Sequence, residues 1–202
     1  MAATIHNFEQ RTPEWYAVRL GKYTGSDFHT FLGKSATKDR LILEKACEHI
    51  TGQPTNEDHF ISADMQRGID NEDFAREQYE ASSFCSVQQI GFAELDEWTG
   101  CSPDGLVGDD GIIEIKCPKD SVFVQQIISG KIKLEYETQI QFNLMVLDRK
   151  WCDYIAYNKN FPLLVKRIER NEEKIAEIKA ALEEVIGKSQ EIIAKFQKAM
   201  GK

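Results

Sequence analysis

The stretch Cys101-Ser102-Pro103-Asp104-Gly105-Leu106, followed by Gly111-Ile112-Ile113-Glu114-Ile115-Lys116-Cys117-Pro118, carries more structural information than any other part of the sequence. In an extended run side chains alternate between faces, so Ile113 and Ile115 share one face while Glu114 and Lys116 share the other. The isoleucines predict a strand covered on both faces, where an unpaired acid and lysine would be costly. If Asp104 closes the neighbouring strand, a hairpin through the turn-rich residues 105–111 brings its carboxylate to Glu114. Two carboxylates so placed repel unless a proton or cation lies between them, and a hard divalent ion such as Mg²⁺ takes oxygen ligands of this kind while keeping waters. The Ile115 carbonyl could add a ligand, and Lys116 could orient a water or offset charge on a phosphate, which is the chemistry of phosphodiester hydrolysis. The alternative is a solvated strand face beside an ordinary Asp-Gly turn, and spacing alone leaves both open.

Outward from this segment, residues 87–95 and 98–102 read as short strands, which with residues 111–116 suggest an antiparallel meander. Upstream, Pro13-Glu14-Trp15 opens a short helix that stops before Gly21, and Thr24-Gly25-Ser26 precedes a second one. Helical spacing continues over residues 37–50 and again from the N-cap candidate Ser62, where Met65, Ile69 and Tyr79 place Glu72 on the same inward stripe. Downstream come helices at 121–129 and 134–147 and strands at 151–157 and 163–168. A last helix starts at Asn171, with an apolar stripe from Ile175 to Met200 interrupted near Gly187 and suited to core or partner surface. The order of elements predicts a mixed α/β fold.

A chain of 202 residues fits one domain and buries a core without staples, and 42% apolar with 29% charged residues excludes a disordered or fibrous chain. No apolar run approaches the roughly 18 residues of a membrane span, and residues 1–10 lack the pattern of a secretory signal, so the expectation is an unprocessed cytosolic chain with no membrane partner. Five scattered cysteines argue against both a disulfide framework and a thiolate zinc site. The histidines His6, His29, His49 and His59 share no zinc-ligand spacing and are read as structural or surface residues. Charges of 25 minus 33 give a net of −8, a prior against passive nucleic-acid binding but not against an enzyme that places cations between its carboxylates and phosphates. Lys131 and Lys133 could track phosphate, a point their spacing leaves open.

The pair Pro103-Asp104 and Glu114-Ile115-Lys116 resembles the two halves of the PD-(D/E)xK nuclease motif, and the longer form 101–106 with 114–118 resembles the lambda-exonuclease or YqaJ-like viral recombinase family. Trp15 with Arg19-Leu20-Gly21, Thr24-Gly25-Ser26, Glu72 and Gln139-Ile140-Gln141 follow in the order the family would have them. The resemblance implies a restriction-endonuclease-like core with a central mixed sheet flanked by helices, residues 1–202 forming one exonuclease domain with 171–202 a C-terminal helical segment. It implies a 5′-to-3′ exonuclease on linear double-stranded DNA, dependent on Mg²⁺ with Mn²⁺ as substitute, that leaves 3′ single-stranded tails. Asp104, Glu114 and the Ile115 carbonyl would hold the metal. Lys116 would contact the attacking water or the scissile phosphate, with Glu72 and Gln139 beside them and Tyr136 nearby. Arg19, Ser26 and Thr24 would receive the 5′-phosphate, while Asp96 has a counterpart of uncertain role. A homotrimeric ring, a single-strand annealing partner and a phage or prophage origin in a bacterial cytoplasm complete the implied picture. Two rivals remain: an endonuclease of restriction or structure-specific type with the same metal site, and a non-catalytic DNA-end or partner-binding module that docks through the C-terminal stripe.

Overall fold

The computed structural model describes residues 2–33, 36–55 and 62–201, so the reading of His59 lies outside the described residues. Its centre is a five-stranded mixed sheet in the order β2 (Val87–Gln88), β5 (Gly105–Val107), β6 (Gly111–Lys116), β7 (Trp151–Ala156), β8 (Leu164–Glu169). Strands β6 and β7 run parallel and every other neighbouring pair is antiparallel. A parallel pair needs a crossover, and helices α5 (Asp120–Ser129) and α6 (Leu134–Leu147) occupy the chain between those two strands.

Strand β6 is covered on both faces, as its isoleucines require. Ile112 joins the larger apolar cluster with Phe123, Ile140 and Leu144, whereas Ile113 and Ile115 join a smaller one with Ala75, Tyr79 and Ile155. Ala75 and Tyr79 belong to helix α4 (Ala63–Ser83), whose N-cap is Ser62 accepting from the Met65 N–H. Helices α1 (Pro13–Arg19), α2 (Gly25–Phe28) and α3 (Ala36–Thr51) precede it. Helix α2 packs against α6, and α3 packs against the last helix, α7 (Glu172–Ala199).

The expected meander is divided between two sheets. A three-stranded antiparallel sheet joins β1 (Thr4–His6), β3 (Phe92–Glu94) and β4 (Gly100–Cys101), so the single strand read over 87–95 is split at residues 89–91. There the Gly91 N–H donates to the His6 carbonyl and the chain changes partners. Residues 105–107, read as part of a turn, form strand β5 and shorten the hairpin loop to residues 108–110. Helix α7 runs through Gly187 without a break, since an intrahelical glycine costs only about 1 kcal/mol and tertiary packing overrides it. Its residues Ile175, Ile178, Leu182 and Val185 are buried in the larger cluster, while Phe196 and Met200 are exposed. The first half of the stripe is therefore core. Among the described residues no helix is long and apolar enough to cross a membrane.

Candidate active site

The β5–β6 register pairs Leu106 with Ile112 and Gly105 with Ile113, so one step further sets Asp104 opposite Glu114. Asp104 Oδ2 accepts the Ile115 backbone N–H at 2.5 Å. Glu114 is only 1% exposed, and its Oε1 accepts from Lys116 Nζ at 2.6 Å. Period-two alternation puts that ammonium on the face of its acid, two residues along the same strand. Across from β6, helix α6 presents Tyr136, Gln139 and Asn143, spaced three and four residues apart and hence on one face. Lys116 Nζ donates to Gln139 Oε1 at 3.3 Å and lies 5.1 Å from the centre of the Tyr136 ring. Asn143 Nδ2 donates to Glu114 Oε2 at 3.4 Å.

Burial, followed by the charges of Glu114 and Glu72, pushes the Asp104 carboxyl well above the ordinary carboxylate range, against the pull of Lys116 and the Ile115 N–H. Burial alone would lower the Lys116 ammonium, but the acids Glu114 and Asp104 outweigh it and raise it above its usual value. Both shifts mark a cluster short of positive charge. Among the described residues no group of three or more His, Cys, Asp or Glu side chains converges to hold a metal. The carboxylates that the β5–β6 register sets together are Asp104 and Glu114, and hard oxygen donors of this kind fit a partly hydrated divalent cation.

Glu72 lines the same cleft of ≈ 500 Å³ as Asp104, Ile115, Lys116 and Tyr136. Its side chain is 17% exposed, and its two oxygens accept from Arg11 Nη2 at 2.9 Å and Arg76 Nη2 at 3.0 Å. The first part of the stripe, Met65, Ile69 and Glu72, lines this cleft, with Met65 56% exposed at its wall, while Tyr79 at its other end is buried in the core.

A second polar cluster adjoins the first. The Arg19 guanidinium donates to Ser102 Oγ at 3.2 Å and Thr24 Oγ1 at 3.4 Å, with Thr24 Oγ1 a further 3.1 Å from Ser26 Oγ. It stacks 4.1 Å from the centre of the Trp15 ring, whose Nε1 also donates to Ser102 Oγ. Among the described residues Arg19 has no carboxylate within ion-pair distance, and burial draws its pKa down, against the nearby charge of Asp27. A guanidinium flanked by hydroxyls suits a phosphate. Ser102 stands two residues before Asp104, and Ser26 lines the same cleft as Asp104, so the two clusters are contiguous.

Asp96 lies elsewhere: its Oδ1 caps the turn before β4 by accepting the Trp98 N–H at 2.8 Å. His6 pairs with Glu94, and His49 stacks on Trp98, both structural contacts. Cys101 is buried, whereas Cys117 lines the cleft and is only partly covered. Lys133 also lines the cleft, as do Arg11, Arg67 and Lys119, which sequence reading did not single out. Asn143 was missed as well, although its place four residues after Gln139 was a usable signal.

Residues 14–150 match the family described as the YqaJ-like viral recombinase domain. An alkaline exonuclease (LHK-Exo) from Laribacter hongkongensis is 34% identical, the match covering 94% of this chain and 98% of that one at a TM-score of 0.86. The same enzyme in complex with dAMP superposes at 0.85, with 34% identity and the same coverage. A phage-related exonuclease from Haemophilus somnus 129PT shares the fold at 16% identity, TM-score 0.64, covering 87% of this chain and 96% of its own. The comparison with curated proteins gave no match.

Proposed function

Because the chain belongs to the YqaJ-like viral recombinase family, we propose that it is a Mg²⁺-dependent 5′-to-3′ exonuclease of linear double-stranded DNA, with Mn²⁺ able to replace Mg²⁺. A DNA exonuclease role is supported by the likeness to the Laribacter alkaline exonuclease, whose bound dAMP is chemically a released mononucleotide. The observation that carries the finer reading is the contiguity of the two clusters: Ser102, bonded to Arg19, lies two residues from Asp104.

Asp104, Glu114 and the Ile115 carbonyl would hold the ion, which when bound supplies Lewis acidity toward the attacking water and the scissile phosphate. The protein's own groups account for the rest. Lys116, fixed between Glu114 and Gln139, donates to the water or to a non-bridging phosphate oxygen and offsets the charge that grows there. The Tyr136 ring lies 5.1 Å from the ammonium and favours its charge, and Glu72 adds negative charge at the cleft wall. Arg19, Thr24 and Ser26 grip the terminal 5′-phosphate, so that the next phosphodiester falls at the carboxylates and one strand is shortened from its 5′ end. The product is a duplex with a 3′ single-stranded tail, the substrate of an annealing protein. Residues 1–202 act as one exonuclease unit, assembled as a homotrimeric ring around the duplex.

The test is digestion of linear duplex DNA labelled separately at each strand end and bearing either a 5′-phosphate or a 5′-hydroxyl, with and without Mg²⁺. Mononucleotide release from the 5′ end, faster on the phosphate and absent in chelator, is expected. Nicking of a supercoiled circle under the same conditions would instead make the protein an endonuclease.

A further inference from the structure

Helix α2 begins at Gly25, between the two hydroxyl residues assigned to the terminal phosphate, and it is seated on α6 at the two residues that reach the catalytic strand. A Cβ built on Gly25 would stand 2.6 Å from Asn143 Oδ1 and 3.1 Å from the Gln139 carbonyl. At the first distance something must shift, so a side chain at residue 25 would displace the Asn143 amide or helix α2. Asn143 itself is 1% exposed, and its other amide atom, Nδ2, bonds Glu114. One buried amide therefore touches the backbone of the phosphate pocket with its oxygen end and a metal-ligand carboxylate with its nitrogen end.

We infer that Asn143 is a positioning residue that sets the distance between the 5′-phosphate pocket and the Glu114 carboxylate, so that a gripped terminal phosphate delivers the adjacent phosphodiester in register. The inference rests on the two-cluster reading above. What passes through Asn143 is position, carried by close packing, and no conformational switch is involved. Gly25 and the Glu114 carboxylate are both buried, so removal of the amide opens a gap in the packing between them. Gln139 also meets the Gly25 position, with its carbonyl at 3.1 Å and its Cγ at 3.4 Å from the built Cβ, but its side-chain amide holds Lys116; the amide that bonds Glu114 itself is that of Asn143.

The experiment measures kcat and KM of wild type, Asn143→Ala, Gly25→Ala and the double variant on duplexes with a 5′-phosphate or a 5′-hydroxyl. Affinity for both ends is measured in chelator by fluorescence anisotropy, and circular dichroism melts check the fold. Asn143→Ala is expected to keep its phosphate-dependent affinity without metal, yet to lose on the order of 10- to 100-fold in kcat on phosphorylated ends, the scale of a misplaced reacting group. Its kcat on hydroxyl ends, already out of register, should fall much less, so the phosphate preference in kcat collapses. Gly25→Ala should show the same collapse, and the double variant should be no worse than Asn143→Ala, because the 2.6 Å clash is gone and only the milder 3.1 Å approach to the Gln139 carbonyl remains. Equal loss of kcat on both ends, or an unchanged phosphate preference in folded Asn143→Ala, overturns the coupling and leaves the exonuclease reading intact. A wild type that digests both ends equally overturns the pocket and the coupling together. A wild type that releases no nucleotide overturns the exonuclease reading itself.

Discussion

Lys116 Nζ lies 2.6 Å from Glu114 Oε1, an ion pair whose acid is almost wholly removed from water while its lysine remains a quarter exposed. The asymmetry has an energetic meaning. A buried carboxylate without a compensating cation is expensive, and a weak hydrogen bond from Asn143 at 3.4 Å does not replace a full charge. The ammonium thus neutralises the carboxylate and at the same time stands at the cleft, where a phosphate would meet it.

Lys116→Ala should therefore abolish digestion and also destabilise the fold by about 3 kcal/mol, the low end of what a broken buried pair costs. Mg²⁺ would then recover more of the melting temperature in the variant than it adds to the wild type, because the ion supplies the missing charge. Thermal melts with and without Mg²⁺ measure this. Wild-type turnover in the variant would remove the lysine from the mechanism, and identical Mg²⁺ responses would remove the charge argument.

Arg19→Ala should act on the end and leave the chemistry alone. A charged hydrogen bond is worth about 1.5–3 kcal/mol, so kcat/KM on 5′-phosphorylated duplex should fall roughly 10- to 100-fold, to about the level of a 5′-hydroxyl end. Comparable losses on both kinds of end would count against a phosphate pocket.

Gly105, next to Asp104, has a steric requirement rather than a conformational one. A Cβ there would stand 2.1 Å from Val87 Cγ1, so Gly105→Ala must displace β2 or the strand end that carries the carboxylate. Overpacking of this kind costs about 1–3 kcal/mol. Urea unfolding should show that loss, and Gly105→Ala/Val87→Ala should be more stable than Gly105→Ala alone. If the second substitution only adds to the damage, the clash is not the cause.

Strand β6 was legible because its information is local: alternation along residues 112–116 fixes the faces of Glu114 and Lys116 whatever surrounds them. Helix α6, from Leu134 to Leu147, was legible for the same reason. Strand β5 was not, since Gly105 and Gly108 carry a turn signal and the strand exists only through its pairing with β6 and β2. The three residues of β1 are too few to show a period. Glu72 was read as inward-facing with Met65, Ile69 and Tyr79, but a cleft and a core leave the same helical stripe: Glu72 lines the cleft while Tyr79 is buried in the core, and the two guanidiniums that hold this acid come from Arg76 on its own helix and Arg11 far away in sequence. The link between Gly25, Asn143 and Glu114 joins three segments and has no sequence period at all.

Glu48 should make the turn that leads to Thr24 sensitive to acid. Its Oε2 accepts the Gly21 N–H at 2.9 Å and the Lys45 ammonium at 2.9 Å, and its Oε1 accepts the Thr55 hydroxyl at 3.2 Å. Gly21 adopts a φ of +74°, so the turn leading to Thr24 is pinned at a position suited to glycine. Burial would raise the Glu48 carboxyl, but Lys45 and the hydrogen bonds outweigh it and hold its pKa below the ordinary value. A carboxyl with a depressed folded pKa adds stability that is fully present above its unfolded pKa of about 4.3 and is lost as pH falls through the folded value. Glu48→Gln should accordingly cost on the order of 1 kcal/mol at pH 7, and the two stability curves should converge as the pH falls through the depressed folded value, where wild-type Glu48 takes up its proton. Urea unfolding across this range, paired with digestion of 5′-phosphorylated duplex at pH 7, tests both ends of the argument. Curves that stay parallel down to low pH would mean that the carboxylate charge does not hold the turn.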